Sequence, residues 1–307
     1  MNWLGDAVMS TPALIRLREA KPAAHIALLT HEKLTDLWQE QPYLDQVITF
    51  SAKESVLQIG ARLRREQFDV GLILPNSPRS ALEMWFGRLG QRIGYSRPFR
   101  DLFLTRRIPP RREEIKMHKR STKEIHCLIA TPSLCTRQRH PNSAHHIHQY
   151  LHLVNEAFGA ERTETAPRIY ISAETVEACR KRCEIPASGG LVFGLNPGAE
   201  YGPAKRWPAD RFVKTAARLW EQTGCHWILF GGKADIPLVE EIQKGLVERI
   251  PKVGITNLAG RTTLRELCAA LNICDLLLSN DTGPMHVAAA VGTPVVVPFG
   301  STSPDLT

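Results

Sequence analysis

The chain has 307 residues, 43% hydrophobic and 23% charged, the balance of a globular protein that is too long for one ordinary core and suited to two of ~150 residues each. Its 39 Lys and Arg against 31 acids leave a net charge of +8, which favours an anionic partner such as nucleic acid, a membrane surface or a phosphorylated substrate. No apolar run reaches the ~18 residues that span a bilayer, and no basic segment with an apolar stretch follows Met1, so an integral membrane protein is excluded and the cytoplasm is the expected compartment.

The first candidate element is a helix running to Ala20 from Trp3-Leu4-Gly5-Asp6, where Asp6 reads either as a helix cap or as a general base. Strands are predicted at His25 to Leu29, Gln46 to Phe50, Phe68 to Leu74 and Arg92 to Tyr95, with amphipathic helices at Lys53 to Arg65 and Ser77 to Leu89. Asn76, Ser77 and Arg79, just past the strand ending at Leu74, could bind an acceptor or simply cap the next helix.

From Arg106 to His146 the alternation stops, and the segment reads as a loop or basic insertion. Between Arg92 and His140 thirteen Lys or Arg face four acids, which makes either an anion-facing surface or a solvated loop. Among the histidines at 140, 145, 146, 148 and 152, His148 and His152 have an i,i+4 spacing that metals use but sit on a stretch that reads as a solvated insertion, and Cys179 and Cys183, one helical turn apart, have no second ligand pair nearby. No metal is expected, and the seven scattered cysteines read as reduced thiols. A helix from His146 to Phe158 leads out of the first domain, with the boundary near residue 165.

The second half alternates strands at Leu191 to Leu195, His226 to Phe230, Asp275 to Ser279 and Pro294 to Pro298 with helices at Pro208 to Thr223, Asp235 to Arg249, Thr262 to Leu271 and Gly283 to Val291. Such alternation predicts an α/β protein with parallel sheets. Domains 1–165 and 166–307 would then be two Rossmann-like units facing across a cleft.

Three strand-to-helix turns carry the chemistry. In Ser279 to His286, Asp281 or Thr282 can cap the helix, Gly283 admits a close ligand, and the helix start with His286 favours phosphate. In Leu195 to Pro208, the residues Asn196, Gly198 and Ala199 precede Lys205 and Arg206, a fixed loop with cations that suits a diphosphate. In Phe230 to Asp235, the acid can meet ribose hydroxyls or act as an ordinary N-cap. No nucleophile elbow, HExxH, RNP or zinc-finger pattern is present, so nucleic acid is not an expected partner.

The segments Trp3-Leu4-Gly5-Asp6-Ala7-Val8-Met9, Leu74 to Ala81, Arg92-Ile93-Gly94-Tyr95, Asn196 to Pro208 and Asn280 to Ala290, recurring in order along the chain, resemble the heptosyltransferase II group of glycosyltransferase family 9. The resemblance implies a GT-B fold and inverting transfer of L-glycero-D-manno-heptose from ADP-heptose to the first heptose of the Kdo–lipid A inner core, without a metal or other cofactor. It implies Asp6 as base, Lys205 on the diphosphate, Asp235 on the ribose or adenosine, and Asn196, Gly198, Ala199, Asp281, Thr282, Gly283 and His286 around the donor. The acceptor would lie on the first domain, with peripheral contact at the cytoplasmic face of the inner membrane. The resemblance also implies an apolar strand before Trp3 and further chain beyond Asp305. Other readings of the same loops are a different GT-B nucleotide-sugar transferase or epimerase, and a non-catalytic nucleotide-binding module.

Overall fold

The structure, a computed structural model, describes residues 3–112, 114–115, 121–131, 140–160, 165–187, 189–200, 203–300 and 302–307. The chain opens with α1 (Leu4–Met9) and α2 (Thr11–Ala20) rather than one helix. Pro12 has no N–H to donate to the Val8 carbonyl, and the Thr11 hydroxyl takes that acceptor instead, so the helix breaks at Ser10.

Strands β1 (Ala27–His31) and β2 (Gln46–Phe50) pair in parallel. A separate parallel sheet contains β3 (Val70–Ile73), β4 (Gln91–Tyr95) and β5 (Arg106–Ile108). Among the described residues no strand joins β1 to β3, and these two do not pair with each other. Helices α3 (Val56–Glu66) and α4 (Pro78–Phe86) connect the two fragments; Ile59 and Leu63 of α3 and Met84 of α4 meet Ile48, Ala27 and Leu29 in one apolar cluster. Side-chain packing, not a continuous ladder, therefore unites this half.

The segment expected to be a loop from Arg106 holds β5, a short 3-10 turn at Asn142–Ala144 and α5 (Thr122–Ala130). The Ser121 hydroxyl and the Glu124 carboxylate form a reciprocal capping box at the start of α5. Residues 113, 116–120 and 132–139 of the basic stretch lie outside the described residues. Helix α6 (Ile147–Phe158) then packs beneath β4, where Tyr95 stacks on His152 at 5.8 Å.

After α7 (Ala173–Arg182) the second half is one parallel sheet ordered β10-β9-β6-β7-β8, from β6 (Val192–Asn196), β7 (His226–Leu229), β8 (Ile255–Asn257), β9 (Leu276–Ser279) and β10 (Val295–Val296). Its helices are α8 (Ala209–Thr223), α9 (Ile236–Arg249), α10 (Leu264–Ile273) and α11 (Gly283–Ala290). The core strand β6 is buried along its whole length, as a central parallel strand covered on both faces must be. The chain order runs outward from β6 to β8 and then restarts on the other side at β9, so the crevice at the carboxyl ends of β6 and β9 is a topological switch point.

The two halves are fastened along the segment leading to α7. Gln41 donates to the Tyr170 carbonyl and accepts from its N–H, the Thr11 hydroxyl accepts from the Arg168 N–H, and the Arg265 guanidinium reaches Gln39, Glu40 and Tyr170. At the other end, residues 302–307 turn back so that the Leu306 carbonyl accepts from the His146 N–H. Among the described residues no helix is long and apolar enough to cross a membrane.

Candidate functional site

All three chemistry-bearing turns emerge at the switch point and interlock. The Asn196 side-chain amide donates to Ser279 Oγ at 3.1 Å, and buried Asn280 holds the opposite loop with two bonds, accepting from the Trp207 N–H and donating to the Pro197 carbonyl. Lys205 Nζ lies 2.8 Å from Asp281 Oδ2, which also accepts from the Thr302 hydroxyl at 2.5 Å. Asp281 is 6% exposed and Lys205 22%, so the pair sits at the rim with its cation still reachable from the crevice.

Asp235 stands at the N-cap position of α9, but its carboxylate does not cap that helix. One oxygen accepts from the Gly232 N–H at 3.1 Å and the other from Arg206 at 3.2 Å. A Cβ on Gly198 would come within 2.4 Å of the same carboxylate, so only glycine lets the two loops close. Ala199 is buried beside it.

Helix α11 starts at Gly283 with Thr282 in the N-cap position, and neither the Thr282 nor the Asp281 side chain caps it, contrary to the capping reading of that turn. The helix start keeps its positive dipole end for a ligand at the crevice. Against it lies α1 from the other half. A Cβ on Gly5 would meet the His286 ring at 2.9 Å, and one on Gly283 would meet Leu4 at 2.9 Å. Two glycines thus let the starts of α1 and α11 approach, and Asp6 follows Gly5 on α1.

Asp6 lies at the third position of α1 with Trp3 at the N-cap, so the capping reading does not hold for it. Burial pushes its carboxyl pKa up, opposed by the positive field of His146. Tyr150 on α6 is pushed up by burial and by the Asp6 charge, so it remains a neutral phenol. Burial holds His286 down to about 4, against a smaller opposing pull from Asp281, so its imidazole is neutral at physiological pH. A carboxylate of raised basicity, a neutral imidazole and a nearby ammonium therefore occupy one seam between the halves.

On the first half, Leu74 and Tyr95 at the ends of β3 and β4 share an apolar cluster with Ala7 and Val8 of α1. The loop after β3 therefore opens toward the Asp6 helix. Its residues are held locally: the Ser77 hydroxyl caps α4 by accepting from the Ser80 N–H, Arg79 pairs with Glu83 at 2.9 Å and donates to the Glu54 carbonyl, and Asn76 Oδ1 accepts from Arg100 at 3.3 Å. A pocket in the same half is lined by Tyr95, Arg97, Arg111, Glu114, His145 and His146, with Arg97 paired to Glu114. Among the described residues no three His, Cys, Asp or Glu side chains gather as metal ligands, and Cys179 and Cys183 lie buried with sulfurs 3.9 Å apart.

Sequence reasoning gave no role to Asn280, Thr302 or Tyr150, and weighed His146 only as a metal ligand. Asn280 carried a usable signal, because a buried amide at the end of a strand has to bond something across the switch point. His146 and Tyr150 reach Asp6 only through the packing of α6, which no local spacing announces.

The structure of Escherichia coli ADP-heptose LPS heptosyltransferase II superposes with a TM-score of 0.78 at 25% identity, covering 100% of this chain and 85% of that one. A glycosyltransferase family 9 protein from Veillonella parvula gives 0.79 at 25% identity over 99% of this chain and 79% of that one. Lipooligosaccharide heptosyltransferase 2 of Haemophilus influenzae is 28% identical over 319 residues, 100% of this chain and 83% of its own. Two parallel α/β halves meeting at a phosphate-type crevice, in the arrangement of these neighbours, make the protein a GT-B glycosyltransferase. The profile described as glycosyltransferase family 9 (heptosyltransferase) matches residues 118–307, and the chain belongs to that family.

Proposed function

We propose that the protein moves L-glycero-D-manno-heptose from ADP-heptose to the first heptose of a Kdo–lipid A inner core, with inversion at the anomeric carbon. The observation that carries this reading is the seam itself: Gly5, next to Asp6 on α1, lies against the ring of neutral His286, with Lys205 and the α11 start on the donor side. Asp6 takes the proton of the acceptor hydroxyl as its oxygen attacks the anomeric carbon. The bond from that carbon to the phosphate oxygen breaks with its electron pair going to ADP. Lys205 and the α11 amides neutralise the charge growing on the leaving diphosphate, the task a metal performs elsewhere. No cofactor enters this scheme.

Asp235, Gly198 and Ala199 form the wall for the nucleoside, and Asn196 fixes the loop that presents Lys205. Asn76, Ser77 and Arg79 border the acceptor side. A lipid-borne acceptor places the enzyme in peripheral contact with the cytoplasmic face of the inner membrane. Incubation with ADP-heptose and a heptose-bearing Kdo–lipid A acceptor tests this. Transfer is expected with the native chain, and Asp6→Asn should lower the rate by about 10²- to 10⁴-fold while still binding ADP. Equal rates for the two proteins, or preference for UDP over ADP in binding, would sink the reading.

A further inference from the structure

The connection from β4 to β5 is built inside out. Arg100 is fully buried, donating to the Pro75 carbonyl, and Asp101 fastens the loop through the Ser96 hydroxyl and the Arg97 N–H. Between and beside these anchors Phe99 is 86% exposed and Leu102 is 82% exposed. Phe99 also has φ 63, a left-handed conformation that a bulky aromatic adopts only when its surroundings impose it. The loop therefore turns a charge inward and two large apolar side chains outward, the reverse of what water alone selects.

The apolar surface continues onto α4. Trp85 is 45% exposed, and its ring packs edge-on against Phe103 of the same connection at 5.9 Å. Around the aromatic cluster the charge has one sign: residues 79–112 contain nine arginines and two acids, Glu83 and Asp101. Glu83 is paired with Arg79, and Asp101 accepts from the Ser96 hydroxyl and the Arg97 backbone N–H, so nine arginines against two acids leave seven positive charges in excess. Arg88, next to Trp85, and Arg107 and Arg112, beyond Leu102, are exposed, while Arg106, pointing to the other face of the strand, donates to the Ala157 and Glu156 carbonyls at the end of α6. Apolar residues at the centre with arginines at the rim match a surface that offers hydrocarbon beneath a layer of negative headgroups. A protein groove would need the arginines matched one by one with acids, and a free anion would have no use for Phe99.

We propose that Phe99, Leu102 and Trp85, ringed by Arg88, Arg107 and Arg112, dock this enzyme on an anionic phospholipid bilayer. The docking loop holds the Asn76 loop through Arg100, which donates to the Pro75 carbonyl and to Asn76 Oδ1, so seating it on a membrane brings the acceptor side toward lipid-borne sugars. This biological sense rests on the proposed acceptor, but the docking itself does not require it.

Flotation with vesicles of phosphatidylethanolamine and phosphatidylglycerol, compared with phosphatidylcholine alone, tests the proposal. The native chain should float with the anionic vesicles and release as salt rises. Phe99→Ser with Leu102→Ser should lower partitioning roughly tenfold or more, and Arg88→Gln with Arg107→Gln should flatten the salt dependence. Both are exposed substitutions, and unchanged circular dichroism shows that the fold survives. Transfer to a deacylated, water-soluble acceptor should match the native rate in both variants; absence of transfer in every protein counts against the proposed reaction, not against docking. The docking proposal is overturned if the Ser variant floats like the native chain, if phosphatidylcholine serves equally well, or if the patch instead holds a dimer that the Ser variant dissolves.

Discussion

Replacing Lys205 by Met separates its two duties. The aliphatic stem stays, the ammonium goes, and Asp281 keeps a carboxylate that is 6% exposed with the Thr302 hydroxyl still bonded to it. Losing a charged hydrogen-bond partner from a buried carboxylate costs about 1.5–3 kcal/mol, and the 22% exposure of Lys205 places this pair toward the lower end. For a chain of this size that is a fall of about 3–8 °C in melting temperature. Transfer should fall by about 10²- to 10³-fold, the usual loss when one preorganised charge partner of a leaving group is removed. Adding Asp281→Asn removes the stranded charge, so the double variant should regain most of the melting temperature while its transfer rate stays low. Calorimetry and radiolabelled heptose transfer on the same preparations give both numbers. Recovery of turnover together with stability would refute a role for Lys205 at the diphosphate and leave it a structural ion pair.

Gly5→Ala should cost about 1–3 kcal/mol by pushing α1 off the His286 ring, and transfer should drop further than stability does, because Asp6 moves with the helix; parallel melting and rate measurements check this. His286 binds its proton less tightly folded than unfolded, so the unfolded state gains protons first on acidification. Stability from this group should be complete above about pH 6.5 and decline toward pH 4, a slope that urea titrations would find reduced in His286→Gln. Arg100 is buried with Nε and Nη2 unpartnered, and burial lowers its pKa, so Arg100→Met should leave the melting temperature unchanged or raise it; a loss of several degrees would contradict that accounting.

The second half was the more legible one because its strands are apolar throughout and its helices begin at turns that also carry ligand chemistry. Once Asn196 and Asn280 both ended strands of one sheet, their convergence followed from topology. Short elements escaped: β5 and β8 span three residues each, too few for any period to register. Helix α7 was invisible for another reason, since only Cys179 on it is buried and its pattern of charges resembles a loop. The break at Ser10 was announced by Pro12 and could have been read. Whether a polar side chain faces the crevice or its own backbone was not readable: Ser77 and Arg79 turned inward to neighbours, while Asp235 left its own helix to reach Arg206.

The two separate ladders of the first half have a consequence for how the molecule yields. A continuous sheet resists shear through hydrogen bonds running across every strand, whereas among the described residues β1–β2 and β3–β5 are coupled by side-chain packing, through α3 and α4 on one face and the core with α1, α2 and α6 on the other. Amides on the facing edges of β1 and β3 lack ladder partners among the described strands, so hydrogen exchange should be fastest there and slowest in β6.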